Sequence, residues 1–309
     1  MTLLAIGCAG WAFAAHGGRW SIRLDVLTHF APLLLAGAAL SLAYAFTVQP
    51  GLTRNWLFGF SLLGVVLSGA LVVPEYLRPM TPLAPADSPG QIKLIQFNAW
   101  RNNRSLPATI DWLAAQDADI IVLEEAEYIG TALHKRLPDY HVTCAGCTVS
   151  IFSKAVPVAS DVPIPAEQMV RPPVAGATFR DARGEFTVFG VHYVWPVHGG
   201  FQQAQGRVIA RMLAHFPKQR LILTGDLNST PWSFSRRRED ALFGLERRTR
   251  ALFTWPVRDT PIKGMETLFP LLPIDQIYAG PGWRTVKVER GPRLGSDHYP
   301  VIITLAPSP

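Results

Sequence analysis

The sequence is poor in cysteine, in long runs of like charge, and, over its first quarter, in charge of either sign. Only three cysteines occur in 309 residues: Cys8, Cys144 and Cys147. That count excludes a small scaffold built on disulfides. It also leaves a tetrahedral cysteine zinc site short of ligands, because no second pair stands beside Cys144-Ala-Gly-Cys147. A redox-active motif would need a thioredoxin-like context, which is missing. The expectation for Cys144 and Cys147 is a structural disulfide, and with it an oxidising compartment. Cys8 lies in an apolar run and reads as an apolar filler.

The densest block of like charge is Arg236-Arg237-Arg238. No long basic stripe marks the chain as a nucleic-acid binder, and a solvated face is the ordinary reading of such a triplet. The net charge of +6 suits an anionic substrate but says nothing about fold.

Of 29 Lys/Arg and 23 Asp/Glu, only Arg19, Arg23, Arg54, Arg78, Asp25 and Glu75 fall within residues 1–80. Three uncharged apolar runs fill that space: Met1–Ala15, Val26–Val48 and Trp56–Val73. A helix needs about 20 such residues to cross a bilayer. The second and third runs meet that length, and the first is a marginal third span. A cleaved signal peptide is its rival, although the basic leader such a peptide wants is missing. A buried hairpin of a soluble protein is the remaining alternative. Trp20, Trp56 and Tyr76 sit at the run edges, as interfacial anchors would. The spans carry almost no ionisable side chain beyond His29, which argues against a transporter. The expected organisation is a membrane region over residues 1–78 with two to three transmembrane helices. A proline-rich linker over 79–90 and a soluble domain over 91–309 would follow.

What is present beyond residue 90 is a series of short apolar strands, each ending in or flanked by a polar group. Ile92–Asn98 alternates and ends on Asn98. Asp119–Leu123 runs into Glu124-Glu125, two adjacent acids that are costly to bury unpaired. Glu185–His192 ends on His192. Leu221–Thr224 leads to Gly225, Asp226 and Asn228. Ile274–Ala279 carries Asp275, and Asp297-His298 precedes the last strand. If the backbone stays extended, Asp226 and Asn228 point the same way, a carboxylate beside an amide. A strand closing in an Asx-type turn gives the same two residues without any chemistry. A single polar strand end is usually accidental, but six such ends are hard to explain by packing. Strand ends and their loops are where layered α/β folds assemble sites. Ser105 is expected to cap a helix over Leu106–Ala114, a long amphipathic helix follows Gly200, and Trp232–Leu245 reads as helical.

These residues carry a resemblance. Ile95-Gln-Phe-Asn98, Asp119-Ile-Ile-Val-Leu-Glu-Glu125, Val191-His192, Gly225-Asp-Leu-Asn228, Ile274-Asp-Gln-Ile277 and Gly295-Ser-Asp-His298 stand in the order found in the endonuclease/exonuclease/phosphatase family. Leu27-Thr-His-Phe-Ala-Pro32, Gly225–Ser233 and Thr254-Trp-Pro256 look like that family's bacterial membrane-bound branch. The resemblance implies an α/β (α+β) fold: a four-layer sandwich of two mixed β-sheets flanked by helices, preceded by N-terminal transmembrane helices. It implies a divalent-metal-dependent phosphoesterase acting on a phosphodiester or phosphomonoester by in-line attack of water. The substrate would be nucleic acid, a phospholipid head group or a small phosphoester, with the lipid bilayer as the other partner and no obligate protein partner evident.

By the same resemblance, Glu125 with help from Asn98 would hold Mg²⁺ (or Mn²⁺), and Asp297 would be a further metal ligand. Asp226 would handle the attacking water, with Asn228 positioning it or the phosphate. His298 would contact the phosphate, Asp275 would set its tautomer, and His192 would stabilise phosphate oxygens or help the leaving group. Glu124 replaces a Gln frequent before the metal Glu, and Trp100 stands where some nucleases place an acid. Tyr193-Val-Trp195 is bulky beside His192 and would either narrow the pocket, stack on substrate, or pack in the core. A non-catalytic member that binds a phosphorylated ligand is the alternative function.

The side of the membrane is contested by two rules. With three spans, Arg19, Arg23 and Arg78 share the catalytic domain's side against Arg54, which favours the cytoplasm. The cysteine pair and the family resemblance favour the other side. The expectation is a multi-pass protein of the bacterial inner membrane with an extracytoplasmic catalytic domain.

Overall fold

In a computed structural model of the chain, the residues described are 1–160, 162, 170–257 and 267–309. The chain divides into two compact units. One comprises Met1–Pro79, Trp195–Gly200 and Ser229–Arg238, and the other Met80–Val194, Phe201–Asn228 and Glu239–Pro309.

The first unit is helical. Helix α1 (Thr2–His16), the single turn α2 (Ile22–Asp25), α3 (Ala31–Ala45) and α4 (Leu52–Leu77) form it. Two helical stretches, Ile22–Ala45 and Leu52–Leu77, are long and apolar enough to cross a bilayer. At 15 residues α1 is shorter than a span, as its run length suggested. The helices approach closely because small residues face each other. A Cβ on Gly64 would lie 2.9 Å from the Cβ of Ala38, the kind of contact that packs helices where lipid provides no hydrophobic drive.

The second unit is a sandwich. Its strands are β1 (Ile92–Asn98), β2 (Ile120–Glu124), β3 (His141–Thr143), β4 (Val149–Ser153), β5 (Val174–Asp181), β6 (Gly184–His192), β7 (Leu221–Asp226), β8 (Glu246–Arg247), β9 (Asp275–Ala279), β10 (Trp283–Arg290) and β11 (Val301–Pro307). One sheet runs β10-β11-β1-β2-β4-β3 and the other β5-β6-β7-β9-β8. Each is mixed: β1 pairs parallel with β2, and β6 parallel with β7, among otherwise antiparallel neighbours. Helices α5 (Leu106–Ala115) and α6 (Ile129–Arg136) flank the first sheet, and α7 (Gly199–Leu213) flanks the second. Helix α8 (Phe234–Phe243) completes the set.

The period of two assigns every strand residue a layer. Leu94, Val122, Val188, Ile222 and Ile277 meet in the core between the sheets. Ile95, Phe97, Ile121 and Leu123 face α5 and α6, sharing a cluster with Leu113, Ile129 and Leu133. Phe189, Val191, Leu221 and Leu223 pack with Val208, Ile209 and Met212 of α7.

Two details depart from the sequence reading. Strand β3 is three residues long and helix α6 eight, too short to stand out in sequence. Ser105 occupies the N-cap of α5, but its hydroxyl makes no capping bond; Asn103 Oδ1 instead accepts the Ser105 N–H at 2.9 Å. Within the proline-rich stretch 79–90, the Ala84 N–H donates to Thr285 O at 2.8 Å, and the Thr81 N–H to Glu246 Oε1 at 2.8 Å. Cys144 and Cys147 are joined by a disulfide, and Cys8 is a buried free thiol.

Candidate active site

Continuing each strand by two residues on the inward face replaces the apolar core with polar groups. Leu94 is followed by Gln96 and Asn98, Val122 by Glu124, and Ile222 by Thr224 and Asp226. On β6, Val188 is followed by Gly190 and His192, while Ile277 is preceded by Asp275 on β9. Register does the rest. Asn98 pairs with Glu124 across β1 and β2, His192 with Asp226 across β6 and β7, and Asp226 with Asp275 across β7 and β9.

Asp226 is the centre. Its Oδ2 accepts from Asn98 Nδ2 at 3.1 Å and from Asn228 Nδ2 at 3.2 Å. His192 Nε2 lies 3.6 Å and His298 Nε2 3.7 Å from the same oxygen. Its Oδ1 accepts the Asn228 N–H at 2.8 Å. The extended backbone therefore ends at Asp226 and does not persist to Asn228, which has φ of 47°. An Asx-type turn forms, and that turn itself places the amide beside the carboxylate. The structural and chemical readings of this stretch are one geometry. Gly225 is required here: at φ 148° a Cβ would sit 1.9 Å from Val191 O.

His298 Nδ1 lies 2.9 Å from Asp275 Oδ2, which orients the ring so that Nε2 faces Asp226. Gln96 bridges the sheets, its Nε2 donating to Glu124 Oε2 at 2.8 Å and Asp275 Oδ1 at 2.9 Å. Sequence reading saw Gln96 only as a strand residue. The signal was its parity, since Gln96 and Asn98 share a face as i and i+2.

The adjacent acids separate by backbone. Glu124 closes β2 on the inward face and is fully buried. Glu125 takes φ of 51° and leaves the strand. Its Oε2 accepts the Arg101 N–H at 3.0 Å, and its Oε1 lies 3.4 Å from Asn98 Nδ2. Asp297 Oδ2 accepts from Trp255 Nε1 at 3.1 Å, beside His298. This gives Trp255, noted in sequence only for its surrounding motif, a direct role in holding the loop. Tyr193 is buried in the core behind β7, where its backbone O accepts from Asn228 Nδ2 at 2.9 Å; Trp195 is exposed.

Electrostatics follow burial. Desolvation pushes the Asp226 carboxyl up to about 6, against the pull of His298. Burial, with Asp275 next, raises Glu124 well above the carboxylate range. Burial alone would lower His298, but the Asp275 and Asp226 carboxylates outweigh it and hold the ring charged well above its usual range.

Five carboxylates thus stand among two imidazoles, and two of their buried oxygens, Glu124 Oε1 and Asp297 Oδ1, lack a hydrogen-bond partner among the described residues. Such a donor set suits a hard cation. Among the described residues, Asp226, Asp275 and His298 place ligand atoms within 4.8 Å of one another. Glu125 and Asp297 stand outside that trio, with Asn98 linking Glu125 to Asp226.

The comparisons with known proteins agree on the fold. TDP2 of D. rerio complexed with a single-strand DNA product superposes with TM-score 0.56 at 17% identity, covering 70% of this chain and 99% of that one. An endonuclease/exonuclease/phosphatase protein of Bacteroides vulgatus does so with TM-score 0.57 at 16% identity, covering 71% and 99%. The mannosyl-6-phosphatase of Bacteroides thetaiotaomicron gives 0.54 at 16%, covering 70% and 99%. No curated protein matches the sequence. A sequence profile described as the Endonuclease/Exonuclease/phosphatase family matches residues 95–298, which run from β1 through the last site histidine, and the chain therefore belongs to that family.

Proposed function

We propose that this chain is a membrane-anchored phosphoesterase that depends on a divalent cation, Mg²⁺ or Mn²⁺, and hydrolyses its substrate by in-line attack of water. The observation that carries this reading is the convergence of Asn98, Asn228, His192 and His298 on one carboxylate oxygen of Asp226. A carboxylate ringed by donors, with a pKa lifted to about 6, is ionised at neutral pH yet more basic than an ordinary Asp.

In this account a water held by Asp226 and Asn228 attacks phosphorus. Its oxygen forms the new P–O bond as the bond to the leaving oxygen breaks, and Asp226 takes the proton released. The His298 imidazolium, charged and oriented by Asp275, neutralises the growing negative charge on the phosphoryl oxygens. His192 supplies the proton that the leaving oxygen needs. Glu125 and Asn98 would hold the cation, with Asp297 as a further ligand. When bound, the cation polarises a phosphoryl oxygen as a Lewis acid. The relatives include a protein bound to a DNA product and a sugar phosphatase, so diester and monoester substrates are both within reach of the fold.

The two apolar helices support an inner-membrane, multi-pass anchor, and the Cys144–Cys147 disulfide supports an extracytoplasmic domain. Alkaline-phosphatase and fluorescent-protein fusions after residue 90 test the side; fluorescence without phosphatase activity would place the domain in the cytoplasm instead.

The function is tested by assaying the full chain on bis(p-nitrophenyl) phosphate, plasmid DNA and sphingomyelin, with Mg²⁺ and with chelator. Hydrolysis of at least one substrate, abolished by chelator and by Asp226→Ala, is expected. Turnover that survives both would refute the mechanism.

A further inference from the structure

The helical unit includes a short segment from far along the chain, Ser229–Arg238, that begins immediately after Asn228. Within that unit, two polar residues of the N-terminal apolar region hold this segment by its backbone. Asp25 Oδ1 accepts the Phe234 N–H at 2.8 Å, and Asp25 Oδ2 accepts the Ser235 N–H at 2.7 Å. Asp25 thus supplies the first turn of α8 with the carboxylate that a helix start ordinarily takes from its own N-cap. His29 Nδ1 takes the Thr230 N–H at 3.3 Å and lies 2.9 Å from Thr230 Oγ1, while His29 O accepts from Trp232 Nε1 at 3.3 Å.

All four side chains of this junction are buried: Asp25, His29, Thr230 and Trp232. The segment is also closed on itself, with Arg236 Nε donating to Ser229 Oγ at 3.0 Å. Asp25 is one of two acids in the first 80 residues. A buried carboxylate there is costly unless hydrogen-bonded, and each of its oxygens accepts a backbone N–H from this one segment, with Thr28 Oγ1 3.4 Å from Oδ1. An anchor needs none of this.

Two stretches singled out in the sequence, Leu27–Pro32 and Gly225–Ser233, meet at these bonds. The second carries Asp226 and Asn228, and only Ser229 separates Asn228 from the residue that His29 holds. Asn228 sits at a positive φ and contributes both its N–H and its amide to Asp226. Asparagine tolerates this left-handed turn, and Gln202 Nε2 donates to the Asn228 carbonyl at 3.1 Å; the bonds from Asp25 and His29 fix the chain from the next residues onward.

We infer that Asp25 and His29 are positioning residues of the active site: the N-terminal apolar region acts as a brace on Ser229–Ser235 and so holds Asn228 against Asp226, beyond any role as an anchor. This inference rests on the proposed phosphoesterase function only for its kinetic consequence. The bracing itself is separately measurable.

The test uses the full chain in detergent micelles, with Asp25→Ala, His29→Ala, the conservative Asp25→Asn and His29→Gln, and Ser61→Ala as a control within α4. Hydrogen exchange of the peptide spanning residues 224–235 is read first. The two Ala variants are expected to lose protection there, the conservative pair to lose less, and Ser61→Ala none. With bis(p-nitrophenyl) phosphate and Mg²⁺, kcat of the Ala variants is expected to fall roughly 10- to 100-fold, the size a small misplacement of a catalytic group produces. KM should stay within about threefold, and the conservative pair should recover part of kcat. Wild-type exchange in Asp25→Ala and His29→Ala would overturn the brace, as would lost protection with kcat unchanged. An inactive wild type would count against the proposed function, and the exchange data would still decide the brace. Should an Ala variant fail to fold, Asp25→Asn and His29→Gln decide alone: graded losses support the inference and wild-type values overturn it.

Discussion

Two regions of the space between the sheets are built by the same strands on the same faces. In the middle, Leu94, Val122, Val188, Ile222 and Ile277 interlock as a dry core. Two residues along the same strands stand Gln96, Glu124, Gly190, Thr224 and Asp275, and beyond them Asn98, His192 and Asp226. The backbone pairing is continuous across the change. The difference is therefore chemical: one region lowers the free energy of the fold by burying apolar surface, and the other raises it by burying acids that repel one another beside two imidazoles. A fold that tolerates such an edge is being held by the core for the sake of the edge.

The largest effect that separates the two regions should be catalytic. His298→Ala is expected to lower kcat/KM by about 10²–10³-fold, the range for removing one group that stabilises transition-state charge, and to lower the unfolding midpoint as well, because Asp275 and Asp226 lose a buried counter-charge. An unchanged rate on bis(p-nitrophenyl) phosphate would move the chemistry away from this edge.

The core should behave in the opposite way. Ile277→Ala removes a fully buried side chain between the sheets and is expected to cost about 2–5 kcal/mol in urea unfolding. Activity of the folded fraction should be retained. A cost under about 1 kcal/mol would mean that the sheets are less tightly packed than the shared cluster implies.

The third prediction turns on pH. Burial pushes the Asp226 carboxyl up to about 6 in the folded chain, above the ordinary aspartate range. A carboxyl raised on folding contributes stability that is complete below about 4 and is lost as pH rises through about 6. Asp226→Asn, which mimics the protonated form, should therefore match wild type at pH 4 and exceed it at pH 8 in metal-free buffer. A shift of this size corresponds to about 3 kcal/mol. In the same window the wild-type rate should fall as pH drops through about 6, as the base is protonated. A flat stability difference between pH 4 and pH 8 would contradict the burial argument.

The smallest effect lies away from both regions. The Arg220 guanidinium, at 2.6 Å, holds the Asp181 carboxyl below its usual range. A depressed carboxyl contributes stability above its unfolded pKa and loses it as pH falls through the folded one. Asp181→Asn should lower the midpoint slightly at pH 7 and not at pH 2. An equal effect at both values would make the contact a packing one.

Much of this was legible in the sequence because parity is a local rule. Asn98, His192, Asp226 and Asp275 each lie at a strand end, and alternation alone puts each on the face of an apolar residue two or four positions away: Leu94, Val188, Ile222 and Ile277. The family resemblance added the two facing sheets that bring those ends together. Other features depend on geometry that alternation does not encode. Asn228 turns left-handed instead of extending, and Glu125 leaves the strand while Glu124 stays. The bridge from Gln96 to Asp275 spans 179 residues, and the bond from His29 to Thr230 spans 201. Pairings at that separation carry no local periodicity, so Asp25 and His29 read in sequence only as rare polar groups in an apolar region.

The central claim is that Asp226 works with a bound divalent cation on a phosphoester. It is tested most directly by following bis(p-nitrophenyl) phosphate hydrolysis by full-length wild type and Asp226→Asn through chelation and Mg²⁺ restoration. The expected result is wild-type turnover that vanishes with chelator and returns with Mg²⁺, beside an Asp226→Asn protein that stays folded and inactive throughout. Wild-type turnover indifferent to chelator, or an Asp226→Asn rate equal to wild type, would contradict the account.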